Sequence, residues 1–315
     1  MPRYGFLFIN AVTPLHNGSG EGLGAIDRTI MRERTTQFPI VQASSLKGVL
    51  RTEVDVKLKL TSDPHRDLKV KALFGPPPQA SGEHAGAVSF GDAQILAFPV
   101  RSLKGPWVWI TSPLIFSRLH RQARVAGITL NQMAGILGQL TVAAQTARIC
   151  PAGAQALLVN NRLLLEEYPY TTQNSPELQS LAEELAGLIY PEDQFLREEF
   201  GRKLVLLSDD DFTYFVKNAT EVYPNIRIGD SGTTARGSLR NTEYLPTETV
   251  LYSLVTCDEP KKPEGNGNYY ANTGITDAAS IEILFQDNLP PFVQVGADET
   301  IGKGLVALNY CAGEG

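Results

Sequence analysis

One aspartate stands alone between a glycine-rich stretch and a line of arginines. Residues 16–51 read HNGSGEGLGAIDRTIMRERTTQFPIVQASSLKGVLR, with four glycines in the seven residues from Gly18 to Gly24, then Asp27, then Arg28, Arg32 and Arg34. Glycines let a loop bring its backbone N–H groups close against a ligand. Ser44 is placed to N-cap a helix over about 45–60, whose free amides and dipole make a second anion site beside Ser45. Lys47 and Arg51 fall four residues apart on one face of that helix and can flank the same run of phosphates. Near the C-terminus Lys303 sits between Gly302 and Gly304 in GADETIGKGL. The chemistry this pattern fits is the binding of a phosphate backbone. A capped helix with a solvated Lys/Arg stripe gives the same pattern, so these features alone do not specify the ligand.

Four better-known signatures fail. Gly20-Glu21-Gly22-Leu23-Gly24-Ala25 matches G-x-G-x-x-A after a strand, but a charged segment ending in Phe38-Pro39 follows instead of an apolar helix. GADETIGKGL resembles a P-loop, yet it has five residues between its glycines and Gly304 where a magnesium-binding Ser/Thr belongs. His16, His65, His84 and His120 are scattered and form no helical metal-ligand pair, and no G-x-S-x-G elbow occurs.

The elements that must position these residues alternate irregularly between strand and helix. Residues 3–13 alternate apolar and polar before Pro14 and read as a strand, 14–30 as a glycine-rich loop, and 33–42 as extended. AVSFGDAQILAFPV and GPWVWITSP read as strands. Pro113 opens a helix, TLNQMAGILGQL suggests another, and SPELQSLAEELAGLIY is an acidic amphipathic one. After the short strand KLVLLS, Asp209 to Asp211 suit the positive end of a further helix. NIRIGDSGTTARGSLRNTEYL reads as a long β-hairpin, ETVLYSLVTCDE as a strand, ASIEILFQDNL as a helix, and the terminal segment as strand, glycine turn, strand. The expected class is α+β.

The chain has 315 residues and is 43% hydrophobic, enough for a sizeable core in one elaborated domain or two modest ones. Its net charge of −6 argues against indiscriminate nucleic-acid binding. The halves differ, however: residues 1–130 hold 16 Lys/Arg against 9 Asp/Glu (+7), leaving 12 against 25 (−13) in residues 131–315. A basic working face on an acidic remainder is the reading such asymmetry supports, and uneven surface solvation is the plain alternative. Cys150, Cys257 and Cys311 are isolated, no apolar run approaches the ~20 residues of a membrane span, and the N-terminus lacks a signal-peptide pattern. A cytoplasmic location is expected.

In combination the segments HNGSG, AIDRTIMRE, FPIVQASSLKGVLR, the helix end LFG, GAVSFGDAQILAFPVRSLKGPWVWITSP, TEYLPTETV and ETIGKG are specific. The chain resembles, over most of its length, the repeated backbone subunit of type III-B CRISPR effector complexes (the Cmr complex), within the RAMP superfamily. The resemblance implies a single RAMP domain over 1–315, with a ferredoxin-like (RRM-type) core, helical insertions at roughly 113–200 and a protruding hairpin "thumb" at roughly 225–245. It implies copies stacked as a filament on CRISPR guide RNA, beside other subunits of the complex, and cleavage of complementary target RNA next to each displaced nucleotide. It places the catalytic acid at Asp27. That carboxylate can bind a divalent ion, magnesium or manganese, at the scissile phosphate, or help activate the ribose 2′-OH, and the sequence does not choose. His16 is a candidate acid/base partner, because imidazole suits proton transfer near neutrality. Glu243 and Tyr244 follow the thumb and are candidates to face a neighbouring copy's active site. Ser44, Ser45, Lys47 and Arg51, through the SSLKG match, and Gly302, Lys303 and Gly304 are expected at the guide RNA, and Arg227, Arg236 and Arg240 near RNA in the hairpin. Val295-Gly296-Ala297 departs from the family's paired glycines, which makes Gly296 the less secure member of that loop. The competing readings are a non-catalytic RNA-binding scaffold and a RAMP-type enzyme that processes CRISPR RNA alone.

Overall fold

The computed structural model describes residues 1–314 except 22, 23, 81, 139, 140, 231 and 236. Gly22 and Leu23 of the rejected G-x-G-x-x-A match and Arg236 of the hairpin therefore lie outside the described residues. The chain is α+β. Its first strand, β1 (Arg3–Ala11), lies between Val250–Cys257 and Leu305–Ala312, antiparallel to both. Val250–Cys257 pairs in turn with Ala93–Arg101, again antiparallel. The spatial order of these four strands is 305–312, 3–11, 250–257, 93–101.

Because β1 is central, both its faces are covered. From Gly5 to Ala11 every residue is buried, so the expected half-buried alternation gives way to a strand enclosed on both sides. Asn10 is tolerated there because Tyr190 donates its hydroxyl to Asn10 Oδ1 at 3.4 Å.

Helix α1 (Ala43–Leu60) buries Leu46, Leu50, Val54 and Leu58, a stripe at i, i+4 steps that was legible in the sequence. Its start corrects the expected cap. Gln42 occupies the N-cap position without a side-chain bond, Ser44 lies inside the first turn, and the Ala43 N–H goes to Asp92 Oδ1 at 2.8 Å. A carboxylate from the neighbouring sheet thus takes the role assigned to the serine, and charge at the positive helix end favours it.

The segment 113–200, expected as helical insertions, is not only helical. Helices Pro113–Ala126, Pro176–Ile189 and Gln194–Lys203 alternate with strands Thr146–Ile149, Arg162–Leu165 and Tyr168–Asn174. These strands extend the main sheet through Leu204–Leu206 and Trp107–Thr111. Ser112, Ser175, Asp193 and Ser208 cap the four helices that follow them, each accepting an N–H three residues on.

A separate small sheet carries the glycine loop. Strand β2 (Gly18–Glu21) pairs with β3 (Arg28–Ile30), which lies parallel to Arg240–Tyr244. Arg240–Tyr244 forms a hairpin with Glu221–Asn225, so the arm begins four residues earlier than expected. The segment read as one loop over 14–30 is therefore fastened to the hairpin's inner strand.

Candidate active site

Asp27 is held at the junction of loop and hairpin by a reciprocal pair of bonds. Its N–H donates to the Asn241 carbonyl at 3.1 Å, and the Asn241 N–H donates to Asp27 Oδ2 at 2.7 Å. The Asn241 side chain adds a bond to the Ala25 carbonyl at 3.2 Å. The carboxylate remains solvent-exposed, with one oxygen committed to the backbone and the other open.

It opens into a cavity of about 670 Å³ shared with His16, Arg28, Leu239 and Arg240. Gly18, Gly20, Gly237 and Gly296 also line this cavity, leaving room for a ligand backbone to approach. His16 is buried and its Nδ1 lies 2.7 Å from the Glu243 carbonyl oxygen. A carbonyl can only accept, so Nδ1 carries the proton and Nε2 is the nitrogen free for chemistry. A Cβ on Gly18 would sit 2.8 Å from that Nε2, so glycine there keeps the nitrogen uncovered.

The terminal glycine loop forms the opposite wall. Ala297 N–H donates to the His16 carbonyl at 3.0 Å and Gly304 N–H to the Pro14 carbonyl at 2.9 Å. Gly296 has φ +80° and a Cβ on it would strike the His16 carbonyl; Gly304 has φ +79° and would strike the Val295 carbonyl. Gly296, the less secure position by sequence, is thus among the most constrained. Gly296→Ala is expected to cost about 2 kcal/mol or more, through left-handed strain plus displacement of the His16 turn. A thermal melt lowered together with cleavage checks this.

Not every expected residue reaches the cavity. Glu243 is buried and its carboxylate accepts from Arg32 Nη2 at 2.6 Å, Thr220 Oγ1 at 2.9 Å and Ile30 N–H at 3.0 Å. The Ile30 and Arg32 bonds fasten the β3 segment to the hairpin, the Thr220 bond closes the hairpin's base, and within this chain the carboxylate is buried. Tyr244 is fully buried, donates its hydroxyl to Asp298 Oδ2 at 2.8 Å, and packs edge-on against His16 at 5.6 Å. Burial, then the bond to Asp298, pushes the phenol up to about 12, so it stays neutral near pH 7 and its proton is committed.

Around the cavity the positive groups divide into free and engaged. Arg227 and Arg240 are exposed, and Arg240 lines the cavity. The Lys303 ammonium lies 4.3 Å from the Tyr223 ring centre and 5.2 Å from that of Tyr244. Gly302 is exposed at the end of the turn Glu299–Ile301. On α1, Arg51 donates to the Gly75 carbonyl at 2.7 Å, whereas Lys47 makes no ion pair among the described residues. Burial, with Arg51 one turn away, pulls the Lys47 ammonium below the usual lysine range. Ser45 Oγ donates to Asn17 Oδ1 at 3.4 Å, tying the helix start to the turn beside His16, while Ser44 is exposed.

Sequence reasoning passed over Asp298. Both its oxygens take Arg28 Nη1, at 3.1 and 3.2 Å, and one also takes the Tyr244 hydroxyl. In the sequence Asp298 is marked only as one of two acids, with Glu299, between the glycines of GADETIG.

The RAMP superfamily model matches residues 8–307. The chain belongs to the RAMP superfamily. Among its RAMP relatives, the CRISPR system Cmr endoribonuclease Cmr4 of Pyrococcus furiosus is 34% identical over 95% of this chain and 92% of its own. The CRISPR system CMR subunit Cmr4 of Saccharolobus solfataricus is 24% identical over 96% and 95%. The crystal structure of oligomeric Cmr4 from Pyrococcus furiosus superposes with a TM-score of 0.69 at 27% identity, covering 99% of each chain. A chain of the type III-B Cmr-beta complex bound to cognate target RNA shares this RAMP fold at a TM-score of 0.69, with 21% identity and 98% and 96% coverage.

Proposed function

We propose that this RAMP protein is the repeated backbone subunit of a type III-B CRISPR effector, binding guide RNA as a filament with its partner subunits and cutting complementary target RNA at Asp27. The observation that carries the reading is the exposed Asp27 carboxylate in a glycine-lined cavity that also holds His16 and two arginines. The 34% identity to a Cmr endoribonuclease supports it. One elaborated domain is proposed, with a ferredoxin-like core. The four-strand order 305–312, 3–11, 250–257, 93–101, with Ala43–Leu60 after the first strand and Ala278–Asn288 after the third, supports a βαββαβ unit. The hairpin Glu221–Tyr244, with Ile226, Ile228 and Leu239 exposed, serves as the thumb that parts guide and target.

In the proposed reaction the open oxygen of Asp27 takes the proton of the ribose 2′-hydroxyl as its oxygen attacks phosphorus. His16, when its ring also carries a proton on Nε2, delivers that proton to the departing 5′-oxygen and is left as the neutral Nδ1–H imidazole. Arg28 and Arg240 offset the charge that gathers on the phosphate. The product ends are a 2′,3′-cyclic phosphate and a 5′-hydroxyl. Among the described residues no three His, Cys, Asp or Glu side chains converge as a metal-ligand cluster. Magnesium or manganese, if bound, would be held by Asp27 and would offset negative charge at the scissile group.

The test is assembly with guide RNA and partner subunits, followed by end-labelled complementary RNA on a sequencing gel. Evenly spaced cuts that vanish in Asp27→Ala support the reading; target binding without cuts from the wild type would leave a scaffold. Lys47, a half-buried cation with no ion pair among the described residues, is proposed to meet a guide phosphate. Lys47→Ala is expected to weaken binding of all guide sequences alike and to reduce the slope of log K against log salt by about 0.7 to 1. A titration across salt concentrations measures both.

A further inference from the structure

We propose that Asp298 is a positioning residue of this active site, holding the Arg28 guanidinium beside Asp27 with its remaining donors turned to the phosphate being cut. The inference rests on the reading that the Asp27 cavity cleaves RNA.

Arg28 follows Asp27 directly in the chain, and both line the same cavity. Pairing of the two would neutralise the group that takes the proton. Asp298 prevents this from 270 residues away in sequence, by engaging Arg28 Nη1 with both oxygens at 3.1 and 3.2 Å. Nε and Nη2 of Arg28 make no hydrogen bond among the described residues, so two donors of a planar fork stay available for phosphate oxygens. Arg28 lines the Asp27 cavity and also an adjoining one of about 420 Å³ that holds Arg227, Arg240 and Asp298 itself. It stands on the wall that the two cavities share.

Asp298 is built to be fixed. It lies in the left-handed region at φ +68°, a conformation aspartate accepts more readily than most residues, and its carbonyl takes the N–H groups of Ile301 and Lys303 at 3.1 and 3.2 Å. Its side chain is about one-fifth exposed. Burial pushes its carboxyl up, but the Tyr244 hydroxyl and the Arg28 guanidinium outweigh this and hold it below the usual carboxylate range. The carboxylate is therefore charged when Arg28 needs it. Through the same Tyr244 hydroxyl it also fixes the ring that packs against His16. One anion so sets the places of two groups around Asp27 without facing the reacting atoms.

Asp298→Asn tests this, because asparagine suits the left-handed backbone and still accepts from Tyr244 while losing its charge on Arg28. In the assembled complex the single-turnover rate at saturating target is expected to fall about 10- to 100-fold, with target affinity within about threefold of wild type. Arg28→Gln empties the same contact from the other side without touching the Asp298 turn, and should lose a similar factor. If Asp298 acts through Arg28, adding Asp298→Asn to Arg28→Gln lowers the rate by less than about twofold more. Multiplying losses in the double variant, or a wild-type rate in Asp298→Asn while Asp27→Ala is inactive, would overturn the inference. Wild-type cleavage by Asp27→Ala would instead remove the reading of the cavity on which it stands.

Discussion

Asp27→Asn should assemble on guide RNA and bind target as the wild type does, yet cut it about 10²- to 10⁴-fold more slowly, the range that removal of a general base produces. The substitution is chosen because Asp27 serves two purposes. Its Oδ2 accepts the Asn241 N–H at 2.7 Å and docks the loop on the hairpin, and its other oxygen faces the cavity. Asparagine can keep the first bond and cannot take a proton. Since Asp27 is exposed, the exchange opens no void, and stability should stay within about 0.5 kcal/mol of wild type. Asp27→Ala removes both roles. Equal loss in the two variants places the effect in chemistry, whereas an active Asn variant beside an inactive Ala variant would reduce Asp27 to a loop fastener. Single-turnover cleavage with end analysis of the products measures this.

What could be read ahead of the fold follows from the range of each interaction. The α1 stripe and the helix after Ser175 are local patterns, and both stand close to where the periodicity places them. The α1 cap is not local: Asp92 takes the Ala43 N–H from 49 residues away in place of Ser44, and spacing cannot show it. Burial of β1 on both faces depends on which strands flank it, so its sequence alternation misleads. In the site, Asp27 drew notice as a lone acid among arginines, and the family resemblance gave it a role. Asp298 and Arg28 could not be joined on paper, because the pair exists only once the last glycine loop folds against the first. Gly296 shows the same limit: its constraint is the His16 carbonyl, which arrives from the other end of the chain.

Glu243 separates positioning from chemistry most sharply, and Glu243→Ala should cost about 3–5 kcal/mol of stability, as removal of one member of a buried ion pair does. The carboxylate is 3% exposed and has three donors, Arg32 Nη2 at 2.6 Å, Thr220 Oγ1 at 2.9 Å and Ile30 N–H at 3.0 Å. Truncation strands the Ile30 N–H and leaves Arg32, among the described residues, with the Gln37 and Val216 carbonyls. It also loosens β3, and with it the residue next to Asp27, from the hairpin. Cleavage should then fall along with Tm. Arg32→Met added to Glu243→Ala should recover part of the loss, because no unpaired buried charge remains. Glu243→Gln, which keeps two of the three acceptor contacts, should destabilise less and retain more activity. Were Glu243 itself to handle a proton, Gln would abolish cleavage at nearly unchanged Tm, and Arg32→Met would rescue nothing. Thermal melts of the four proteins set against their single-turnover rates decide between an acid that binds the site together and one that works in it.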